Sequence, residues 1–153
     1  MSDEVDHTIA TATVTSEDKP YGVRIDAGGH ALRADEPAGQ GGAGTGPAPF
    51  GLLLSGLGAC TAITLRMYAE RQGWPLAGVD VTLTYIVKDR DTRWIDRRII
   101  VHGVGDDQRA RLAEIAEKTP VTRAVRAGTE IRILPFESGY STSGLVEKMR
   151  ALP

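Results

Sequence analysis

A single cysteine, Cys60, is the side chain of this sequence best suited to act as a nucleophile. It lies in the stretch GLGACT (56–61), inside a strongly apolar run. A thiol attacks as its thiolate, which forms readily only near a cation or at a helix N-terminus. Free cysteines on an apolar helix face are commonly inert core residues. The residue types therefore leave two interpretations of Cys60 open, a reactive thiol or an inert core residue. At helical spacing it shares one helix face with Leu53, Leu57, Thr64 and Met67.

Other motifs lack the residues that their chemistry requires. His7, His30 and His102 lie on separate predicted elements without metal-ligand spacing, so we predict neither a metal site nor a cofactor. The stretch GQGGAG (39–44) has the form G-x-G-x-x-G, but no buried strand precedes it and no lysine follows the glycines. We therefore interpret it as a surface loop and not as a phosphate-binding loop.

The arginines form two kinds of pattern. One kind alternates with apolar residues, which is typical of solvated strand and helix faces and does not indicate nucleic-acid binding. The net charge of −2 gives no general attraction to nucleic acid or to an anionic membrane. Arg24 and Arg33 are different, because both precede the loop that leads to the helix of Cys60, and either could stabilise a thiolate there. The alternating group comprises Arg93, Arg97 and Arg98 together with Arg123 and Arg126.

The composition limits the class of protein. A chain of 153 residues suits one domain, which we place at 1–136, followed by a tail at 137–153 with one amphipathic turn around Leu145–Met149. One cysteine excludes an intrachain disulfide. The first ten residues lack the pattern of a signal peptide, and the apolar run from Phe50 to Leu65 is interrupted and short for a membrane span. We expect a cytoplasmic protein.

Helices and strands follow from the apolar periodicity and from the glycines and prolines. Pro47 and Pro49 end a Gly/Pro-rich loop (35–49) and favour a helix start, and Gly73 with Pro75 favours a helix end. A long helix that is apolar on nearly every face needs cover on all sides, which predicts a homodimer. We expect strands at 8–14, 21–26, 30–34, 79–87, 94–102 and 129–134, and helices at 49–72, 107–118 and 120–127. This order is typical of an α+β fold with antiparallel strands.

Three segments together resemble the OsmC/Ohr family, in its OsmC-like redox-protein branch. They are GGHALRADEP (28–37), GGAGTGPAPFGLLLSGLGACTAITLRMYAERQGWPL (41–76) and IDRRIIVHGVGDDQRARLAEIAEKTPVTRAV (95–125). The resemblance covers about residues 20–134. It implies an intertwined α+β homodimer with two central helices and active sites at the subunit interface. For active members it implies thiol-dependent reduction of organic hydroperoxides.

The resemblance also assigns positions and shows departures. The attacking, peroxidatic cysteine of the family matches Cys60, and the arginine beside it could match Arg24 or Arg33. The resolving cysteine of the family falls on Thr119, and the usual histidine on Thr122. Phe50 and Gly51 occupy the stretch where a glutamate is usual. Two functions remain: a one-cysteine peroxidase that uses an external thiol, or a non-catalytic dimer that binds a small apolar ligand in the interface pocket.

Overall fold

The computed structural model describes residues 6–18 and 20–135, so the predicted tail at 137–153 lies outside the described residues. The elements form an N-terminal three-stranded sheet, a long helix, a two-stranded hairpin and two shorter helices. In chain order they are β1 (Ala12–Ser16), β2 (Val23–Ala27), β3 (His30–Ala34), a short 3-10 turn (Ala38–Gln40), α1 (Pro49–Gln72), β4 (Gly78–Val87), β5 (Arg93–His102), α2 (Asp106–Ala116) and α3 (Pro120–Ala127). The α+β class predicted from the sequence is confirmed.

The N-terminal sheet is an antiparallel meander in the order β1-β2-β3. Gly28 and Gly29 connect β2 to β3 with φ angles of 60° and 81°, which side chains other than glycine rarely adopt. β1 begins four residues later than the alternation predicts, because its pairing with β2 starts at Ala12 opposite Ala27. The Gly-Gly hairpin is therefore confirmed, while the bounds of the first strand are corrected.

Asp35 shapes the loop between β3 and α1. Its buried carboxylate accepts hydrogen bonds from the backbone N–H of Glu36 at 2.8 Å and of Ala43 at 3.2 Å. Thr45 donates both its backbone N–H, at 3.2 Å, and its hydroxyl, at 2.8 Å. The hydroxyl of Thr45 is the main cause that lowers the pKa of Asp35 below its usual value. One ionised side chain thus fixes the Gly-rich loop that leads into α1.

The core lies where α1 packs on α2, with β4 and β5 beneath them. Gly58 lies against β4 so closely that an added Cβ would meet Leu83 Cδ1 at 2.9 Å. That close approach sets the depth at which the first half of α1 sits on the hairpin. The buried cluster consists of Leu65, Ala69, Leu76, Leu112 and Ala116.

α1 has 24 residues and is long and apolar enough to cross a membrane by length and composition, a test that core helices also pass. The apolar run from Phe50 to Leu65 is the first part of this longer helix, which continues to Gln72. Its contacts with β4, α2 and α3 are those of a core helix. Several apolar side chains of α1 remain exposed in the single chain, among them Phe50, Leu53, Ile63 and Met67.

The strand predicted at 129–134 is wrong for the single chain. Residues 128–135 have no regular structure, and Ile131, Ile133 and Leu134 are 87%, 82% and 78% exposed. The alternating pattern is present, but a strand also needs a neighbour to satisfy its N–H and C=O groups. Within residues 6–18 and 20–135, no strand pairs with this segment.

Candidate functional site

Cys60 lies in the first half of α1 as a free, half-buried thiol. It is eleven residues from the helix start at Pro49, so the positive end of its own helix dipole acts on it weakly. Its neighbour Thr61 is fully buried. A helix turns by about 100° per residue, and here one such step separates a partly open thiol from a completely enclosed hydroxyl.

The two arginines predicted to stabilise the thiolate lie together on the N-terminal sheet. Arg24 and Arg33 are directly opposite each other in the β2–β3 register. Arg33 donates to both carboxylate oxygens of Glu17, at 3.0 Å and 2.5 Å, and the Nε atom of Arg24 is 3.9 Å from Glu17 Oε1. Among the described residues, neither arginine has a hydrogen bond to Cys60. Their role at the thiol stays a prediction.

Thr119, at the position that the resemblance gives to a resolving thiol, is fully buried at the start of α3. It occupies the N-cap position before Pro120, where a threonine side chain commonly caps a helix. Its side chain does not cap the helix, however, but lies 2.6 Å from the hydroxyl of Thr122. Position 119 is thereby part of a buried hydrogen-bond network.

Arg97 is the centre of that network, and sequence reasoning missed it. Nη1 donates to Thr61 Oγ1 at 3.1 Å and to Thr122 Oγ1 at 2.7 Å. Nη2 donates to the carbonyl of Ala116 at 3.0 Å and to Glu117 Oε1 at 3.1 Å. We refer to the side chains of Arg97, Thr61, Thr119, Thr122 and Glu117 as the Arg97 cluster.

The interpretation of Arg97 as a solvated strand residue is wrong, since its side chain is only 10% exposed. The signal that could have found it is the alternation of β5 itself. Ile95, Ile99 and Val101 face inward, and position 97 falls on the same face, whereas Arg98 faces outward. An arginine on the inner face of a strand needs buried partners, and two of them come from α1 and α3.

Glu117 connects the Arg97 cluster to the surface. It accepts from Arg97 and is also paired with Arg126, which lies on α3. The hydrogen bond from Arg126 is the main cause that lowers the pKa of Glu117 below its usual value, and burial opposes it in part. The two arginines add their positive charges to this lowering. Glu117 is consequently ionised at neutral pH and balances one of the two guanidinium charges.

A cavity of about 590 Å³ lies beside the Arg97 cluster, between α1, the β4–β5 hairpin and α3. Phe50 stacks on Tyr85 with 4.6 Å between ring centroids and forms part of the wall. Neither Cys60 nor Thr119 lines this cavity. The lining combines Phe50, Leu53, Leu57, Tyr85, Trp94, Ile95 and Val125 with Arg93, Arg97, Glu117, Thr122 and Arg126.

The fold is that of known structures of organic hydroperoxide resistance and related stress proteins. The chain is similar to a putative osmotic stress induced and detoxification response protein from Psychrobacter arcticus, with 18% identity and a TM-score of 0.64 over 78% of this chain and 90% of that one. It is similar to an organic hydroperoxide resistance protein OsmC from Legionella pneumophila, with 19% identity, a TM-score of 0.59 and coverages of 80% and 92%. The organic hydroperoxide resistance protein OhrB of Bacillus subtilis has 21% identity, a TM-score of 0.56 and coverages of 79% and 93%.

Residues 41–133 match the OsmC-like protein family, and the chain belongs to that family. The matched range begins in the Gly-rich loop and includes α1, the β4–β5 hairpin, α2 and α3. It therefore contains Cys60, Thr119 and the whole Arg97 cluster. The curated proteins contain no match to this chain. The family resemblance inferred from the sequence is confirmed.

Proposed function

We propose that this protein is a one-cysteine reductase of organic hydroperoxides that uses Cys60 and an external thiol. The observation that carries the proposal is the contrast between positions 60 and 119 in a member of the OsmC-like family. Position 60 keeps a thiol that is partly open to solvent, whereas position 119 is a buried threonine in a hydrogen-bond network. Relatives with this fold bear the name organic hydroperoxide resistance protein, which supports the substrate class.

The proposed reaction has three steps. The Cys60 thiolate attacks the outer oxygen of the hydroperoxide, the O–O bond breaks, and the alkoxide takes up a proton to leave as an alcohol. Cys60 is then a sulfenic acid. An external thiol condenses with it, forming a mixed disulfide and releasing water. A second external thiol attacks that disulfide and restores the Cys60 thiol, so that two thiols are oxidised to one disulfide for each hydroperoxide reduced.

Thr119 explains why the external thiol is needed in this proposal. A hydroxyl cannot form a disulfide with a sulfenic acid, and within the described residues Cys60 is the one cysteine. Arg24 and Arg33 remain the proposed thiolate-stabilising residues. In the single chain both lie against Glu17, and among the described residues neither has a hydrogen bond to Cys60.

The test is the consumption of an alkyl hydroperoxide with and without a small dithiol. We expect the wild type to consume about one equivalent alone and to turn over with the dithiol. Cys60→Ser should do neither, whereas Thr64→Ser, a matched substitution one turn along α1, should behave as the wild type. A wild type that consumes no hydroperoxide, or a Cys60→Ser variant that turns over, would contradict the proposal.

The cavity favours a second candidate, a non-catalytic dimer that binds a small apolar ligand. Aromatic and aliphatic side chains form most of its wall, and Cys60 is absent from the lining. This candidate predicts ligand binding without hydroperoxide consumption.

The homodimer is part of both candidates. Ile63 and Met67 of α1 are exposed in the single chain and do not line the cavity, and the alternating segment 129–134 has no strand partner there. A second copy that covers α1 would bury this surface. Sedimentation at micromolar concentration should give a dimer, and a monomer would contradict the assembly. The cytoplasmic location stays a prediction from the single cysteine and the N-terminal sequence.

A further inference from the structure

The cavity beside the Arg97 cluster has one apolar part and one positively charged part. Phe50, Leu53 and Leu57 contribute the wall on α1, and Trp94 and Ile95 contribute the wall on β5. Its volume of about 590 Å³ lies within the range of about 300–1,000 Å³ that is typical of small-molecule sites. The apolar wall would accept an aromatic or branched body of that size.

The charged part contains more cations than anions. Arg93, Arg97 and Arg126 line the cavity, and Glu117 is the one carboxylate in the lining. Glu117 is shared between Arg97 and Arg126, so it balances one charge of the three. The four N–H bonds on the terminal nitrogens of Arg97 have partners, while its Nε–H has no hydrogen-bond partner among residues 6–18 and 20–135.

We propose that this cavity binds an amphipathic anion: an apolar, preferably aromatic body with one carboxylate, sulfonate or phosphate group. The body would lie against Phe50 and Trp94, and the anionic group would lie toward Arg126 and Arg93. Arginine suits such groups because its planar guanidinium donates two parallel hydrogen bonds to an oxyanion. This inference goes beyond the proposed reductase, since it requires an anionic ligand and no thiol chemistry.

The sign of the charge gives the proposal a specific consequence. Removing the charge of Arg93 or Arg126 should weaken the binding of an anion and leave the binding of an uncharged ligand of the same shape unaffected. Removing the charge of Glu117 should do the opposite, because it frees Arg126 and raises the net positive charge of the cavity. A purely apolar cavity would show neither effect.

The experiment uses two fluorescent probes that share an aromatic body and differ by a sulfonate. Anilinonaphthalene sulfonate is the anion, and N-phenylnaphthylamine is its uncharged counterpart. Both are titrated into the full chain, folded as judged by its thermal transition. We expect the sulfonate to bind more tightly than the amine by about tenfold, as for a hydrogen bond to a charged group.

The variants separate the cavity from the general surface. Arg126→Gln and Arg93→Gln should each weaken the binding of the sulfonate by about three- to tenfold and leave the binding of the amine unchanged. The effect is limited because both arginines are partly exposed to solvent. Glu117→Gln should strengthen the binding of the sulfonate by about threefold, again a small effect because the carboxylate is partly exposed. Arg109→Gln is the matched control, because Arg109 lies on the exposed side of α2 and does not line the cavity.

Several outcomes would overturn the proposal. The first two are equal affinity for the two probes and no binding of either probe. The others are an unchanged sulfonate affinity in both Arg126→Gln and Arg93→Gln, or an Arg109→Gln variant that weakens sulfonate binding as much as those two variants do. Cys60→Ser should bind the sulfonate as the wild type does. A protein that binds the sulfonate but consumes no hydroperoxide would contradict the reductase alone, and the reverse result would contradict this inference alone.

Discussion

Cys60 and Thr61 are neighbours in the sequence, yet they belong to two regions that differ in nearly every physical respect. Thr61 is fully enclosed, donates its hydroxyl to the carbonyl of Leu57 at 2.8 Å and accepts from Arg97. Cys60 is half-buried and free. Thr119, where the resemblance places a resolving thiol, belongs to the enclosed region. One helix therefore carries, on adjacent residues, an accessible thiol and a hydroxyl that belongs to the buried hydrogen-bond network.

The enclosed region around Thr61 and the accessible region around Cys60 should also differ in their contribution to the free energy of unfolding. Buried polar groups stabilise a fold when all of them are paired and destabilise it strongly when one partner is removed. The Arg97 cluster joins β5, α1 and α3 in this way. A half-buried thiol without a hydrogen bond among the described residues should matter little for stability. Substitutions in the two regions should therefore differ clearly in their effect on the free energy of unfolding.

The largest effect is expected for Arg97→Met. It removes four hydrogen bonds from a side chain that is 10% exposed and leaves the hydroxyls of Thr61 and Thr122 without their cation. We expect the free energy of unfolding to fall by about 2–4 kcal/mol. Urea denaturation measures it, with Arg109→Met on the surface of α2 as the control. A loss as small as that of the control would show that the cluster is not structural.

Thr119→Val should have the next largest effect. The substitution keeps the shape of the side chain and removes the hydroxyl that lies 2.6 Å from Thr122 Oγ1. Since Thr122 still accepts from Arg97, we expect a loss of about 1 kcal/mol. Thr82→Val on the exposed face of β4 is the matched control. An unfolding transition at the wild-type urea concentration would contradict the role given to position 119.

Glu117 should make stability depend on pH to a smaller extent. Its pKa in the folded chain is lowered from 4.5, so it binds protons less readily when folded than when unfolded. Its stabilising contribution is fully present above the unfolded value and is lost as pH falls through the lower folded pKa. Both Glu117 and Arg126 are more than half exposed, which keeps the effect small.

The measurement for Glu117 compares urea midpoints of the wild type and Glu117→Gln over a pH series. The two should differ at neutral pH and converge in acid, once the wild-type carboxylate is protonated. A difference that stays constant down to pH values well below 4.5 would show that the charge of Glu117 is not its source.

The smallest effect is expected for Cys60→Ala. The thiol is half-buried, and alanine is a better helix former than cysteine. We expect the free energy of unfolding to stay within about 0.5 kcal/mol of the wild type. The same urea experiment provides the value. A loss comparable to that of Arg97→Met would place Cys60 in the structural region and remove the contrast between the two faces.

The order of helices and strands was predictable because it depends on local patterns. Alternation indicated both long strands, and Pro49 and Gly73 marked the two ends of α1. The segment 129–134 carries the same kind of pattern and still has no regular structure in the single chain. The difference is that a helix satisfies its backbone groups internally, whereas a strand depends on a neighbour that the local sequence does not specify.

The site was predictable in part. The sequence identified Cys60 as the one candidate thiol and Thr119 as a position that cannot form a disulfide. It did not identify Arg97, because an arginine between apolar residues is usually solvated, and only its phase relative to Ile95 and Ile99 shows that it faces inward. It also could not show that Arg24 and Arg33 share Glu17.

By itself, the sequence determined the α+β class, the long central helix, the thiol at Cys60 and the hydroxyl at Thr119. The tertiary structure alone decided that Arg97 holds Thr61 and Thr122, which lie 36 and 25 residues away along the chain, and that a charged cavity lies beside them. The physical reason is that helices and turns depend on neighbouring residues. A buried guanidinium instead collects its partners from whichever elements the packing of the core brings to it.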